Sequence, residues 1–206
     1  MKYNDKIILT DCDGVVCNWE YAFCCWLEQH GYTQIENGNH EYDIAKRFGI
    51  TKEEAISKVR VFNESAAIGF LPALRDAIYY VKRLHEEHGY VFRCITSLGL
   101  DSNAKKLRQM NLEKLFGKTA FEELICLDTS ALKDDALAPY KDSGLWWIED
   151  KMENAVAGLD VGLRPILIEH GFNMNDTVPP GITKVVNWKE IYQLVTNPYS
   201  DIIIKG

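Results

Sequence analysis

The residues best suited to chemistry are two aspartates that directly follow a short apolar run near the start of the chain. The run 7–10 reads IILT, and it is followed by Asp11, Cys12, Asp13 and Gly14. Two carboxylates this close repel each other, so the pKa of one must rise unless a cation lies beside them. The glycine lets the backbone turn sharply. The pattern predicts an acidic site at the end of a buried strand, with an acidic turn of no function as the alternative.

Three further groups of polar residues also follow apolar runs. They are Thr96 and Ser97 at the end of the run 90–96, Lys133 after the run 123–128, and Glu149 with Asp150 at the end of the run 145–149. Singly, each group has an ordinary structural explanation, such as a turn or the start of a helix. If the runs are neighbouring parallel strands, however, all these side chains meet at one edge of the sheet, where such sheets bind ligands.

Alternating strand and helix patterns predict the sheet that would position these residues. The predicted strands are 7–10, 90–96, 123–128, 145–149, 164–169 and 183–187. The helical patterns that lie between or after them are 73–88, 101–116, 133–140, 152–160 and 188–196. In the first of these helices, Leu74, Ile78, Val81 and Leu84 are predicted to share the buried face. The alternation predicts a parallel sheet with right-handed crossovers and helices on both faces.

The stretch between the first two predicted strands is too long for one crossover helix. It contains three amphipathic helical patterns, at 18–31, 41–49 and 51–65. We therefore expect a small helical cap, 17–70, inserted into a core domain formed by 1–16 and 71–206. For the tail, 201–206, an edge strand and a contact with a partner are both open.

Charge and composition exclude several classes of function. The chain has 206 residues, with 23 Lys and Arg against 30 Asp and Glu and a net charge of −7. This balance disfavours sequence-independent binding to nucleic acid or to anionic lipid. We find no apolar stretch suited to a secretory signal or a membrane span. The six cysteines lack CxxC or zinc-ligand spacing, and we interpret them as reduced core thiols of a cytoplasmic protein.

In the order Asp-x-Asp, Thr, Lys, Glu-Asp, the chain resembles the haloacid dehalogenase-like hydrolases. The four signatures of that superfamily correspond to DCDG at 11–14, CITS at 94–97, Lys133 and WIED at 147–150. The resemblance covers nearly the whole chain and implies a Rossmann-like three-layer α/β/α sandwich with the cap after the first strand. Lys141 is an alternative for the third signature. We favour Lys133 because it follows a strand and opens a helix.

The resemblance also implies roles for individual residues. Asp11 would be the nucleophile that forms an aspartyl-phosphate, and Asp13 would act as general acid and then general base. Thr96 would donate a hydrogen bond to the phosphoryl group, and Lys133 would neutralise it. Ser97, the next residue in the second signature, is a candidate for substrate binding.

Magnesium is the cofactor that the resemblance implies. Asp11, the backbone carbonyl of Asp13 and Asp150 would bind the ion, and Glu149 would stand beside them without binding it. Mg²⁺ prefers hard oxygen ligands in an octahedron and keeps several of its waters, which this set allows. No partner beyond a small phosphorylated substrate is indicated, although an oligomer is not excluded.

Asp13, two residues after the predicted nucleophile, resembles the aspartate that phosphatases and phosphomutases of the superfamily have at this position. This resemblance implies a phosphate monoester as substrate. Within the superfamily, the chain most resembles small nucleotidases of the 5'(3')-deoxyribonucleotidase type, which have an aromatic residue where this chain has Trp19. That implies nucleoside monophosphates, with the base stacked on Trp19. A core aromatic on the first cap helix is an equal alternative. Phe62 and Phe70 are further candidates for the cleft, although helical spacing favours core positions.

Other functions are open at this stage. A sugar-phosphate mutase or a 3'-phosphatase of nucleic-acid ends would use the same residues, although the chain shows no basic groove. A non-catalytic ligand-binding protein on this scaffold is a third hypothesis, against which the complete set of signature residues argues. His170, Gly171 and Asn173 follow a predicted strand near the site, and we assign them no role.

Overall fold

The centre of the molecule is a six-stranded parallel sheet. In the computed structural model of the protein, residues 4–36, 38, 41 and 43–197 are described. The strands are β1 (Ile7–Thr10), β2 (Val91–Thr96), β3 (Phe121–Cys126), β4 (Trp146–Glu149), β5 (Arg164–Ile168) and β6 (Thr183–Val185). Their order across the sheet is β3-β2-β1-β4-β5-β6, and every pairing is parallel. The predicted parallel α/β sheet is confirmed, while the tail 201–206 lies outside the described residues.

Eight α-helices are found within these described residues. They are α1 (Trp19–Gln29), α2 (Ile44–Phe48), α3 (Lys52–Glu64), α4 (Ala77–His88), α5 (Ser102–Phe116), α6 (Asp134–Leu137), α7 (Met152–Asp160) and α8 (Trp188–Thr196). Short polar side chains accept hydrogen bonds from backbone N–H groups of the first turn, as Asn18, Thr51 and Asp101 do at α1, α3 and α5. Over the part of the chain that the structure describes, no helix combines the length and the apolarity needed to cross a bilayer.

Helix α4 corrects one prediction. It begins at Ala77, four residues later than its sequence pattern indicates, because the chain turns at Arg75, which has a φ of 43°. The buried positions are Ala77, Val81 and Leu84. Ile78 was expected on that face but is 41% exposed, so this expectation is wrong.

Residues of the central strands alternate between two helical layers. On β1 and β4, Ile8 and Ile148 belong to one hydrophobic core, together with residues of α4, α5 and α8. Leu9 and Trp147 belong to the other, with residues of α6 and α7. Successive side chains of a strand point to opposite faces of the sheet, so the observed architecture is the expected three-layer sandwich.

The insertion between β1 and β2 is helical, as predicted. It contains α1, α2, α3 and a 3₁₀ turn, Ala66–Phe70. The two chain segments that connect it to the sheet pair with each other, since Asn18 N–H donates to Pro72 O (2.8 Å) and Leu74 N–H donates to Val16 O (2.9 Å). The insertion therefore leaves the core and returns to it at one place. The exact residue limits given above for the cap stay a prediction.

Candidate active site

The candidate site lies at the carboxyl end of β1, where the order of the strands reverses direction. From β1 the chain continues to β2 and β3 on one side, and then returns to place β4 on the other side. Ligands of open α/β sheets bind at such switch points. Asp11 continues β1, and its N–H donates to Ile148 O of β4 at 2.9 Å. The sheet therefore brings the polar ends of β1, β2 and β4 to one edge.

Four carboxylates gather at this edge, and we refer to Asp11, Asp13, Glu149 and Asp150 as the acidic cluster. Oxygen atoms of Asp11, Glu149 and Asp150 lie within 4.8 Å of one another. Gly14 permits the close approach, because it has a φ of 76° and a Cβ added to it would overlap Oδ2 of Asp150. Residues that are far apart in the sequence are thus in contact here.

A buried lysine neutralises part of this charge. Lys133 is 2% exposed, and its Nζ lies 2.8 Å from Asp11 Oδ1 and 2.6 Å from Glu149 Oε1. The contact with Asp11 is an ion pair without good hydrogen-bond alignment, whereas the contact with Glu149 is a hydrogen bond. The alternative residue, Lys141, is exposed and lies in the loop that leads to the start of β4. Of the two lysines, Lys133 is the one that contacts the acidic cluster.

Glu149 uses both of its oxygens within the protein. Oε1 accepts hydrogen bonds from Lys133 Nζ and from Asn154 Nδ2 (2.8 Å), and Oε2 accepts from the backbone N–H groups of Asp150 (2.8 Å) and Lys151 (2.7 Å). A carboxylate offers about four acceptor positions, so these are filled. Glu149 therefore orients Lys133 and the following turn, and Asp11 and Asp150 stay the predicted metal ligands of the acidic cluster.

Burial sets the protonation of this cluster in the metal-free protein. It raises the pKa of Asp11 to about 7, against the opposing effect of Lys133. It also raises the pKa of Asp150 well above its usual range, and the charge of Glu149 adds to the shift. For Lys133, burial alone would lower the pKa, but Asp11 and Glu149 outweigh it and raise the pKa. The ammonium therefore stays charged, while the two aspartates repel each other.

Asp13 is paired with Arg108 of α5, a residue that none of the recognised motifs contains. Arg108 is fully buried, and its Nη1 and Nη2 donate to Oδ1 and Oδ2 of Asp13, with Nη2 3.2 Å from Oδ2. Burial raises the pKa of Asp13 to about 6, although Arg108 opposes this. The signal that would have revealed Arg108 is a charge on the apolar face of α5, four residues from Ala104 and from Leu112.

Charge and ligand chemistry at this edge fit Mg²⁺. With every group ionised, the acidic cluster carries four negative charges, and the two buried cations that touch it, Lys133 and Arg108, carry two positive ones. A divalent cation would balance the remainder. Asp11 and Asp150 supply the hard carboxylate oxygens that Mg²⁺ prefers.

The two residues predicted at the end of β2 lie at the same edge. Thr96 is buried at the last position of β2, and Ser97 is half-buried directly after it. Ser97 Oγ donates to Ala131 O (2.9 Å), which joins this loop to the one that leads to Lys133. Contacts of Thr96 and Ser97 with a substrate stay predictions.

Four aromatic side chains of the insertion, Trp19, Phe23, Trp26 and Phe62, pack together, and we call them the aromatic cluster. Trp19 stacks on Phe23 with ring centroids 4.6 Å apart and meets Phe62 edge-on at 5.7 Å. Its indole N–H donates to Asn63 Oδ1 (2.9 Å). Trp19 is only half-buried whereas Phe62 is fully buried. Phe62 is therefore a core residue, and binding of a base by Trp19 stays a prediction.

Asn63 connects the aromatic cluster to the active edge. It is 4% exposed, and its Nδ2 donates to Leu98 O at 3.0 Å, in the loop that follows Thr96. Nothing in the sequence pattern indicates this link, because asparagine in a helix is usually a surface residue. Phe70, the other aromatic considered for the cleft, is 71% exposed.

The loop after β5 supports both acidic turns. His170 Nε2 lies 2.7 Å from Gly14 O, and burial lowers the pKa of His170, so a neutral ring with the proton on Nε2 suits this contact. Asn173 is 1% exposed and donates from Nδ2 to Asp150 O (2.7 Å). These two residues had no role in the sequence-based interpretation, and the structure makes them contacts of Gly14 and Asp150.

Comparisons with known proteins agree on the fold. A haloacid dehalogenase-like family hydrolase from Streptococcus pneumoniae is similar in structure, with a TM-score of 0.64 and 15% identity over 91% of this chain and 97% of that one. A D,D-heptose 1,7-bisphosphate phosphatase from B. bronchiseptica, whose structure contains magnesium and phosphate, has a TM-score of 0.58 and 12% identity over 93% of this chain and 98% of that one.

In sequence, the chain is similar to an uncharacterized 32.4 kDa protein from the Gp30-rIII intergenic region of Enterobacteria phage T4. The two are 24% identical over 199 residues, which cover 93% of this chain and 70% of the phage protein. No model of a protein family matches the chain. The structural similarities show that the chain has the haloacid dehalogenase-like fold, which confirms the resemblance at the level of the fold.

Proposed function

We propose that the protein is a Mg²⁺-dependent phosphomonoesterase that works through an aspartyl-phosphate on Asp11. The observation that carries this proposal is the buried Lys133, which bridges Asp11 and Glu149 while Asp150 lies beside them. Transfer of a phosphoryl group depends on positioned cations and donors, since its transition state spreads negative charge over three equatorial oxygens. The haloacid dehalogenase-like fold, which known phosphatases share, also supports the proposal.

The chain's own residues suffice to assign two chemical steps. In the first, a carboxylate oxygen of Asp11 bonds to phosphorus, the ester P–O bond breaks, and Asp13 gives a proton to the leaving oxygen. In the second, Asp13 takes a proton from water as the water oxygen bonds to phosphorus. The bond from phosphorus to Asp11 then breaks, which releases inorganic phosphate and restores the carboxylate.

The remaining groups stabilise charge during these steps. Lys133 would neutralise a phosphoryl oxygen, and Thr96 would donate a hydrogen bond to another. Mg²⁺ held by Asp11, Asp150 and the carbonyl of Asp13 would supply further positive charge to the phosphoryl group. Glu149 keeps the Lys133 ammonium directed at the site.

For the substrate, we propose small phosphorylated metabolites, with nucleoside monophosphates first. The half-buried Trp19 in the aromatic cluster, which Asn63 connects to the loop after β2, supports this choice. The net charge of −7 disfavours nucleic-acid ends. All six cysteines are free thiols, which supports a reducing, cytoplasmic location.

The activity is tested by measuring phosphate release from a panel of nucleoside 5'- and 3'-monophosphates and sugar phosphates, with Mg²⁺ and with a chelator. We expect turnover only with Mg²⁺, and Lys133→Met should lower it by at least about 100-fold. Lys141→Met is the matched control, because it removes an exposed lysine, and it should leave turnover unchanged. Absence of turnover on the whole panel, or equal effects of the two substitutions, would contradict the proposal.

The substrate class is tested separately with Trp19→Leu. Loss of stacking should raise KM for a nucleoside monophosphate by about 5- to 150-fold, because base–aromatic stacking contributes about 1–3 kcal/mol. KM for a sugar phosphate without a base serves as the internal control and should not change. A parallel rise for both substrates would show that Trp19 acts only through the packing of the insertion.

A further inference from the structure

Arg108 occupies a position where the fold would ordinarily place an apolar residue. On α5, the buried residues Ala104, Arg108 and Leu112 follow each other at intervals of four, which puts them on one helix face. Arg108 is fully buried there. A buried guanidinium loses its hydration and needs a carboxylate partner to be tolerated at all. The partner is Asp13, at the edge of the acidic cluster.

Stability does not explain this pair. Replacing a buried ion pair with apolar side chains of similar volume is often neutral or stabilising, because the desolvation of both charges offsets their attraction. On α5 the buried neighbours of Arg108 one turn away, Ala104 and Leu112, are apolar, so a methionine at position 108 would lie between apolar residues and need no charged partner. The pair therefore calls for an explanation in the chemistry of Asp13.

The geometry of the contact is a fork that fixes the plane of the carboxylate. Nη1 donates to Oδ1 of Asp13 and also to Cys12 Sγ, while Nη2 donates to Oδ2 at 3.2 Å. Two parallel donors on one carboxylate restrict its rotation in a way that a single ammonium cannot. Asp13 keeps about a quarter of its side chain exposed (24%), so the held carboxylate still faces solvent.

We propose that Arg108 is a positioning residue that holds the Asp13 carboxyl group in the orientation needed to protonate the leaving oxygen. This inference rests on the proposed function. As the proton moves from the Asp13 carboxyl group to the leaving oxygen, the O–H electron pair stays on the carboxyl oxygen, and the resulting carboxylate is paired with the Arg108 guanidinium.

Dependence on the leaving group separates this role from a structural one. Adenosine 5'-monophosphate expels an alkoxide and needs the proton most, phenyl phosphate needs it less, and 4-nitrophenyl phosphate hardly needs it. The quantity to measure is kcat/KM, since it reports only the steps up to loss of the leaving group. For Arg108→Met, we expect kcat/KM to fall by about 10- to 100-fold on adenosine 5'-monophosphate and by less than about 3-fold on 4-nitrophenyl phosphate, with phenyl phosphate between them.

Two companion variants sharpen the test. Arg108→Lys keeps the charge but not the fork, so it should recover less than half of the loss on adenosine 5'-monophosphate. Arg83→Met is the matched control: Arg83 also makes a two-pronged contact with a carboxylate, through Nε and Nη2 to Glu87 on the surface of α4, away from the acidic cluster. It should leave all three kcat/KM values unchanged.

A double-variant cycle decides the result if Arg108→Met folds poorly. Asp13→Asn with Arg108→Met leaves no unpaired charge in the core, and Asp13→Asn alone is its reference. If Arg108 acts through Asp13, adding Arg108→Met to Asp13→Asn changes kcat/KM by less than about 2-fold for every ester. A uniform loss across the three esters, a further loss in the Asp13→Asn background, or full recovery by Arg108→Lys would overturn the role of Arg108. Absence of turnover by the wild-type protein would instead overturn the proposed function.

Discussion

The acidic cluster and the aromatic cluster each combine buried and half-buried side chains, but they contribute to the molecule in opposite ways. Burial raises the pKa values of Asp11, Asp13 and Asp150, and repulsion from neighbouring carboxylates adds to the shift for Asp11 and Asp150. In the aromatic cluster, rings pack at centroid distances of 4.6–6.1 Å without charge. The first arrangement costs stability and suits chemistry. The second contributes stability and shapes the insertion.

The largest effect that this comparison predicts is the loss of turnover in Asp11→Asn. The amide is a far poorer nucleophile, so phosphate release should fall by at least about 10⁴-fold, which corresponds to about 5.5 kcal/mol in the barrier. Stability should stay the same or increase, because the substitution removes one of the repelling charges. Phosphate release and thermal unfolding by circular dichroism measure the two effects. The exposed Asp5→Asn is the control, and a wild-type rate in Asp11→Asn would refute the assignment.

Phe62→Ala should show the reverse pattern. Phe62 is fully buried and meets Trp19, Phe23 and Trp26, so truncation should lower the free energy of unfolding by about 3–5 kcal/mol. Below the melting transition, kcat on 4-nitrophenyl phosphate should change by less than about 3-fold, since no atom of the acidic cluster is removed. Phe70→Ala, at a ring that is 71% exposed, should stay within about 0.5 kcal/mol of wild type. Urea unfolding measures both, and equal losses would break the comparison.

The acidic cluster could largely be predicted from the sequence, because most of its residues stand at the ends of recognisable strands. Strand β1 and the DCDG turn are contiguous in sequence, so IILT and the acids after it indicate the strand and its chemistry together. The positions of Thr96 and Glu149 at the ends of later strands, and of Lys133 after another, then predict the convergence, because parallel strands end at one edge. The helix boundaries needed only small corrections, apart from α4.

The remaining features depend on contacts between distant segments, which no local pattern encodes. The spacing of Arg108 to Ala104 and Leu112 indicates a charge on the apolar face of α5, but it does not show that Asp13 is the partner of that charge. Asn63, on α3 of the insertion, donates a hydrogen bond to Leu98 O in the loop after β2, 35 residues later in the sequence. The partner of a charged or amide side chain on a helix is determined by tertiary packing, and the local sequence does not identify it.

Asn173→Ala tests whether the loop after β5 maintains the acidic cluster. Its side chain donates to the carbonyls of Asp150 and Ile168, so its loss should loosen the turn that carries Asp150. Affinity for Mn²⁺, measured by calorimetry, should fall by about 10- to 100-fold, as for other partners that orient metal ligands. Asn111→Ala is the control. It removes a similarly buried amide on α5, which donates to Leu71 O, and it should leave the affinity unchanged. A normal affinity in Asn173→Ala would limit this loop to a structural role.

The smallest predicted effect is a dependence of Mg²⁺ stabilisation on pH. Burial raises the pKa of Asp11 from 3.8 to about 7 in the metal-free protein. Between these values the folded state keeps a proton that the unfolded chain has lost, so the metal-free protein loses stability as pH rises through this window. Mg²⁺ binds the deprotonated carboxylates, so its stabilising effect should grow over the same range.

Melting temperatures with and without Mg²⁺, at about pH 5.5 and about pH 8, measure this effect. With Mg²⁺ at about 100 times its dissociation constant, the increase at the higher pH should be about 5–11 °C, and it should be clearly smaller at the lower pH. Asp150→Asn should abolish the increase at both, because it removes a ligand and one of the repelling charges. An equal or larger increase at the lower pH would mean that Mg²⁺ binds elsewhere. Protonation alone would then relieve the repulsion between the carboxylates of the acidic cluster. The difference between the acidic and the aromatic cluster would in that case not depend on a metal.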